Sequence, residues 1–415
     1  MTNLLRQNLV PLLHSGFSLL LFTALSWLFL FKNPDPDYND ILSVLIGALV
    51  TIVTIMFSAV LVALQLASAQ FSPRVTRAFF IQNRLVQLAF YLFLAGIAYC
   101  LAIKFTYSSG SAAFRYPWLP VSGAIFGFFL ISFVLPRFVF YIADSINSAT
   151  LTREIALRSV AEIDQFYGKT RWQKGDEEWE NSAKPDCSLY EVHSTKYGFL
   201  EHIRYNDLAR IAGKHPNYTF YVEVMMGNFI TPGETLIHVQ TADNQPPEQS
   251  VLQQLEAAFV LYKYRSYEQD VLYGVRQLVD VGIKAISPAV NDPTTCINCL
   301  HYLGVIVRRY AIARKPSLPL RQAPANIQYR EFNSRILLNA AFDQIYQWGK
   351  HDHIIVAQIL NTLAETLHGV EDPSYKSAIQ EQIADFELDK LQFPLKEQHE
   401  KVNKALKRLY LILDA

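Results

Sequence analysis

The pattern of apolar and polar positions divides this chain in two. Residues 41–73 form a run of 33 residues without a single charge. A helix of that length rises about 50 Å, well beyond the ~30 Å hydrocarbon core of a bilayer. Shorter apolar stretches lie on either side of it. The pattern predicts an α-helical membrane protein with four transmembrane helices, at about 15–31, 41–69, 85–103 and 117–136, in a transmembrane domain covering 1–150. The first stretch could also serve as a signal peptide. No small-x-small cleavage site follows it, and Lys32-Asn33-Pro34-Asp35 reads as a turn after a retained helix.

After residue 150 the periodicity becomes that of an ordinary α+β protein. A helical stalk and a polar linker at 168–185 come first. Tyr190 and Val192 then alternate with Glu191 and His193, and Tyr218, Phe220, Val222 and Val224 alternate with Thr219, Tyr221 and Glu223. Such period-two alternation predicts strands. Pro232-Gly233 suits a type II turn between two short strands. The G-x-F-x-x-x-G-x-x-L rhythm from Gly227 resembles the hairpins of biotinyl/lipoyl-type barrels, though no lysine occupies the turn and no carrier role is transferred. From residue 249 onward, helices are predicted at about 250–266, 270–287, 293–310, 334–349, 353–368, 374–391 and 395–412. A proline-bearing loop at 313–326 interrupts them. The expected organisation is a stalk, linker and small β-barrel-like domain over 151–248, followed by a helical bundle over 249–415.

Charge sharpens this division. The whole chain balances 37 basic against 37 acidic residues. Residues 1–150 carry eight Lys or Arg, four Asp and no Glu, and the remainder carries 29 against 33. No long basic run exists, so nucleic acid is not an expected partner. The loop after the second span holds Arg74, Arg77 and Arg84, and Arg6, Arg137 and Arg153 flank the outer spans. The other two loops hold Lys32 among three aspartates, and Lys104 with Arg115. The positive-inside rule therefore places both termini and the large C-terminal part in the cytoplasm. The four cysteines need no oxidising compartment.

Two polar patterns are candidates for chemistry. In the second span Thr51, Ser58, Gln65 and Ser72 recur every seven residues, Thr54 and Ser68 occupy companion positions, and Leu61 is the one apolar member. These positions share one helical face. Small hydroxyl residues let membrane helices pack closely, which is one reading. The other is a water-facing wall, for which Gln65 is the stronger argument because its amide is costly in lipid unless satisfied. Arg74 and Arg77 would then set positive charge at the inner mouth. The second pattern is Asp270 to Thr295. Arg276, Asp280 and Lys284 lie four apart, as in a salt-bridge ladder. Ser287-Pro288 ends one helix, and Asn291-Asp292-Pro293 begins the next, with Asp292 at the N-cap. The alternative there is a helix–loop–helix pocket, with Ser287, Asn291 and Asp292 offering oxygens to a cation or polar ligand and the helix N–H groups facing an anion.

Other signals are poor. Cys296 and Cys299 fall inside a predicted helix without a second pair, and His351-Asp352-His353 lacks companion ligands. The chain shows no Gly-rich phosphate loop, no G-x-S-x-G elbow and no H-E-x-x-H. No catalytic residue, metal site or cofactor is assigned, and an enzyme is the less favoured class.

Residues 57–74 (FSAVLVALQLASAQFSPR) and 277–295 (QLVDVGIKAISPAVNDPTT) resemble the bacterial predicted membrane proteins grouped as DUF2254. The resemblance extends over most of the chain and implies a bacterial inner-membrane protein, without an established activity. Where relatives carry a histidine after the fourth span, this chain has Tyr141-Ile142-Ala143-Asp144. The leading expectation is a homo-oligomeric channel-like or transport protein with a cytoplasmic regulatory and assembly domain. Its partners would be the lipid bilayer, further copies of itself, and an ion or small polar ligand. The alternatives are a membrane-anchored enzyme or ligand sensor with its site at 276–295, and a structural membrane scaffold.

Overall fold

A computed structural model describes residues 38–70, 84–108, 118–145, 147–166, 190–243, 245–313, 326–329 and 333–414. The chain divides into two compact units, Met1–Thr150 and Leu151–Ala415. The span expected at 15–31 and the linker at 168–185 lie outside the described residues, as do Ser72, Arg74 and Arg77.

Among the described residues of the first unit, three helices are long and apolar enough to cross a membrane. Their qualifying stretches are Asp40–Ser68, Val86–Thr106 and Val121–Asp144, of 29, 21 and 24 residues. The first two belong to α1 (Tyr38–Gln70) and α2 (Arg84–Ser108). The third is compound: α3 (Trp118–Phe129), a π-helical turn (Leu130–Val134) and α4 (Leu135–Ser145). The expected end at Pro136 is overrun by nine residues, and local geometry explains why. Pro136 has no N–H to return to residue 132 and its ring crowds the preceding turn. The backbone widens there, so that the Leu135 N–H reaches the Leu130 carbonyl and the helix continues.

These helices pack through one face of α1. Leu42, Leu49, Met56 and Ala63, spaced by seven, are buried together with Ala67. Phe93, Cys100 and Ile103 of α2 and Leu130 of the π-turn are also buried. Glycines set the approach. A β-carbon at Gly127 would stand 2.7 Å from the Leu45 methyls, and one at Gly96 would stand 2.5 Å from Leu130 Cδ1. Only hydrogen fits there, as small residues allow at membrane helix contacts. Lys104 of α2 donates to Ser43 Oγ of α1 at 2.7 Å, satisfying a cation near the end of its span.

The second unit begins within α5 (Ser148–Phe166). Two sheets follow. The larger has the order β1 (Tyr190–His193), β5 (Thr235–Thr241), β3 (Tyr218–Val222), β7 (Ile327–Tyr329); the smaller has the order β4 (Phe229–Ile230), β2 (Gly198–Ile203), β6 (Phe259–Tyr262). Two helices, α6 (Tyr205–Lys214) and α7 (Gln249–Ala257), complete this part. Phe220, Val222, Ile237 and Val239 of one sheet share a core with Leu200, Ile203 and Ile230 of the other and with Leu208 and Leu255 of the helices.

This corrects the barrel-like expectation, because the sheets do not close. The turn at Pro232-Gly233 does not make a hairpin: β4 pairs with β2, and β5 pairs with β1 and β3. Gly227 and Gly233, at φ +78° and +87°, redirect the chain from one sheet to the other. The helix expected over 250–266 stops at Ala257, and Phe259-Val260-Leu261-Tyr262 forms β6 against β2. Short apolar runs are ambiguous by periodicity alone, and here β-branched and aromatic content favours the strand. β7 lies parallel to β3 after a long helical excursion, so strands and helices interleave instead of following one another.

The helical part comprises α8 (Val271–Ala285), α9 (Pro293–Ala313), α10 (Ser334–Gly349), α11 (His353–Thr366), α12 (Pro373–Asp385) and α13 (Lys396–Leu413). Asp270, Asn333, Asp352 and Asp372 cap α8, α10, α11 and α12 by accepting from N–H groups of the first turn.

Candidate functional site

The polar seam of α1 lies opposite the face that packs. Thr51, Thr54, Ser58, Gln65 and Ser68 are all exposed, as is Leu61. A shift of two residues from Leu49, Met56 and Ala63 turns the side chain by about 200°, which puts the seam on the far side of the helix. The hydroxyls of Thr51, Thr54 and Ser58 donate to the carbonyls of Gly47, Val50 and Thr54 at 2.8, 3.0 and 2.9 Å. Each is satisfied within the helix while keeping a lone pair outward. Gln65 makes no side-chain hydrogen bond among the described residues, so its amide is left to whatever lies beyond this face.

The second pattern separates into two parts. Arg276 pairs with Asp280 at 2.7 Å along α8 and donates to Gln344 of α10, also at 2.7 Å. It therefore ties two helices together. Lys284 is exposed, and its carbonyl accepts from Ser287 Oγ at 2.7 Å. Asn291 is exposed in the left-handed region at φ +50°. Asp292 caps α9: Thr295 donates its N–H to Oδ1 at 3.1 Å and its hydroxyl to Oδ2 at 2.5 Å, while the Asp292 N–H reaches the Ala285 carbonyl at 2.8 Å. Thr295 engages both carboxylate oxygens, and the segment acts as a tight connector between α8 and α9.

Sequence reasoning did not foresee the buried polar cluster at the start of the candidate segment, where Asp270 meets partners from outside it. Asp270, almost wholly buried, accepts from Arg265 Nε and Nη2 at 2.9 Å each and from the Tyr273 N–H at 3.1 Å. Gly227 lies against this pair, where a β-carbon would stand 2.3 Å from Asp270 Oδ2. The Arg265 guanidinium sits 5.6 Å from the Tyr273 ring centre and the Arg158 guanidinium 5.8 Å from that of Tyr267. The Tyr267 hydroxyl donates to Gln277, which is fully buried.

Gln269 holds φ +58°. Its side chain accepts from the Ile203 N–H at 3.0 Å and donates to the His202 ring at 2.7 Å, while its own N–H donates to Glu162 at 3.3 Å. The cluster thus joins α5, β2 and α8. Burial raises the carboxyls of Asp270 and Glu162 above their ordinary range, against the opposing pull of Arg265 on the first and the Gln269 N–H on the second. The one sequence signal here was the start of a helix at Asp270; the pairing with Arg265 depends on burial that no spacing reveals.

Cys296 and Cys299 are free and buried. Burial pushes the Cys296 thiol up to about 12 and Cys299 well above its ordinary value, which makes both inert as nucleophiles. Among the described residues no group of three or more His, Cys, Asp or Glu side chains could hold a metal ion.

Comparison with known proteins agrees with this membrane architecture. Uncharacterized proteins of Mycobacterium tuberculosis (Rv1290c) and Mycobacterium bovis (Mb1321c) are each 26% identical over 374 residues, covering 86% of this chain and 68% of theirs. No solved structure matches. Residues 8–365 match the DUF2254 family, described as predicted membrane proteins. With most of its length inside that match, the chain belongs to the DUF2254 family of membrane proteins.

Proposed function

We propose that this protein is the subunit of a homo-oligomeric channel-like or transport assembly in the bacterial inner membrane. The second unit would be cytoplasmic and serve assembly and regulation. The observation that carries this reading is the outward seam of α1. The described helices of the first unit bury Leu49, Met56 and Ala63 and leave Thr51, Thr54, Ser58, Gln65 and Ser68 exposed. In lipid, the Gln65 amide is costly without a partner. Copies arranged around an axis would turn this face toward one another or toward a shared aqueous path, and a single three- or four-helix protomer is too small to enclose one. Arg74 and Arg77 would place positive charge at its inner end.

The orientation follows from the loop charges. On this reading Arg276, Asp280, Lys284, Ser287, Asn291 and Asp292 belong to the assembly or regulatory part. Solute flux through liposomes reconstituted with the purified protein tests the proposal. Flux above protein-free vesicles, altered by Gln65→Leu, supports it. A well-folded oligomer that gives no flux across a panel of small anions, cations and neutral solutes contradicts it.

A further inference from the structure

The smaller sheet carries an aromatic row on its outer face. Phe229 of β4 and Tyr262 of β6 both stand opposite Phe199 of β2 in the strand register, so the three rings project from the same side. Phe199 and Phe229 meet edge to face at 5.1 Å. The inward side is the core, where Leu200 and Ile230 are buried. Tyr197 and Tyr264 extend the outer row at the ends of β2 and β6. Tyr197 is 76% exposed, Tyr262 55% and Phe229 51%. Large rings that remain this open, side by side, mark a surface that meets something else.

We infer that this face rests on the lipid headgroup layer of the membrane that the protein spans. Three considerations select that occupant. Tyr rings with an apolar body and a polar tip are suited to the headgroup region, and the row offers three of them beside two Phe. Lys196 adjoins Tyr197, and the Lys263 ammonium lies 5.2 Å from the centre of the Tyr264 ring, so cations border the row and complement anionic headgroups. The nearby acid Glu256 accepts from the N–H and the hydroxyl of Thr195. Finally, the spans tether the second unit to a bilayer, which is therefore present at high effective concentration. The inference depends on the membrane assignment and not on conduction, so an absence of flux leaves it standing.

The test is photo-crosslinking of the full chain in nanodiscs with p-benzoylphenylalanine at residue 197 or 262, both exposed positions that tolerate a larger ring. Tyr91, exposed on α2, provides the spanning control, and Trp348, an exposed ring on α10, the comparison position within the second unit. The expected result is a phospholipid adduct at 197 and 262, detected by mass, at a yield near that at 91 and far above that at 348. In anionic nanodiscs, Lys196→Gln with Lys263→Gln lowers that yield about fivefold or more. Adducts to a second copy or to the same chain, or yields no higher than at 348, overturn the inference.

Discussion

Met56 and Ser58 stand two residues apart on α1 and face opposite ways: Met56 is 1% exposed inside the helix packing, and Ser58 is exposed with its hydroxyl bonded back to the Thr54 carbonyl. That opposition separates what holds the first unit together from what it presents to its surroundings. The packing side depends on close approach at glycine. Gly127→Val should therefore force the Leu45 methyls aside and destabilise the detergent-solubilised protein by about 1–3 kcal/mol. Gly47 has nothing within 4 Å of an added β-carbon, so Gly47→Ala should be neutral or slightly stabilising through helix propensity. Thermal unfolding of the two variants side by side checks this.

The Arg265–Asp270 pair makes a parallel prediction for the second unit. Gly227→Ala combines a left-handed backbone with a collision against Asp270 and should cost about 2 kcal/mol or more. Gly233→Ala has similar backbone strain at φ +87° but open space around it, and should cost about 1 kcal/mol. Denaturant midpoints that rank Gly233→Ala as the more damaging change would refute the account of the cluster.

Asp292 is read as a helix cap. Asp292→Ala should lower stability by about 1 kcal/mol, and Asp292→Ser should recover most of it because the serine hydroxyl can accept the same N–H. A serine variant as unstable as the alanine one would show that the full carboxylate is needed there, and would return the connector to consideration as a ligand site.

Glu162 gives the second unit a pH signature. Burial raises its carboxyl above the ordinary value of 4.5, so the folded chain holds that proton more tightly than the unfolded one. Its contribution to stability is greatest below 4.5 and falls as pH rises through the window up to the raised value. Glu162→Gln keeps an acceptor for the Gln269 N–H and removes the titration. The difference between variant and parent denaturation midpoints should therefore grow in the variant's favour from pH 4 to pH 7. A difference independent of pH would contradict the assignment.

The uncharged run at 41–73 made α1 legible from sequence, and the apolar stretches around Phe93 and Phe126 did the same for the later spans. Helical periodicity placed α8 to α13 within a few residues, because such patterns are local, and in the fold Asp270, Asn333, Asp352 and Asp372 cap four of these helices within one turn of the chain. What was not legible depended on partners distant in sequence. Phe259 to Tyr262 reads equally as helix or strand until β2 is beside it. Ile327 to Tyr329 is too short to declare itself without β3. The continuation through Pro136 required a π-turn that compensates the missing N–H. The Arg265–Asp270 cluster draws on α5, β2 and α8, and only folding brings those together.

The most direct test of the central claim is thiol labelling along α1. Single cysteines at 51, 54, 58, 65 and 68, and at 49, 56 and 63 on the opposite face, are introduced after the native cysteines are replaced by alanine. A membrane-impermeant thiol reagent is then applied to the assembled protein in vesicles. Labelling of the first set through the depth of the membrane, with the second set protected, is the predicted result. Protection of the whole first set in a native oligomer, with a cysteine at the exposed position 348 labelled normally when its side is accessible to the reagent, would contradict an aqueous path along this face.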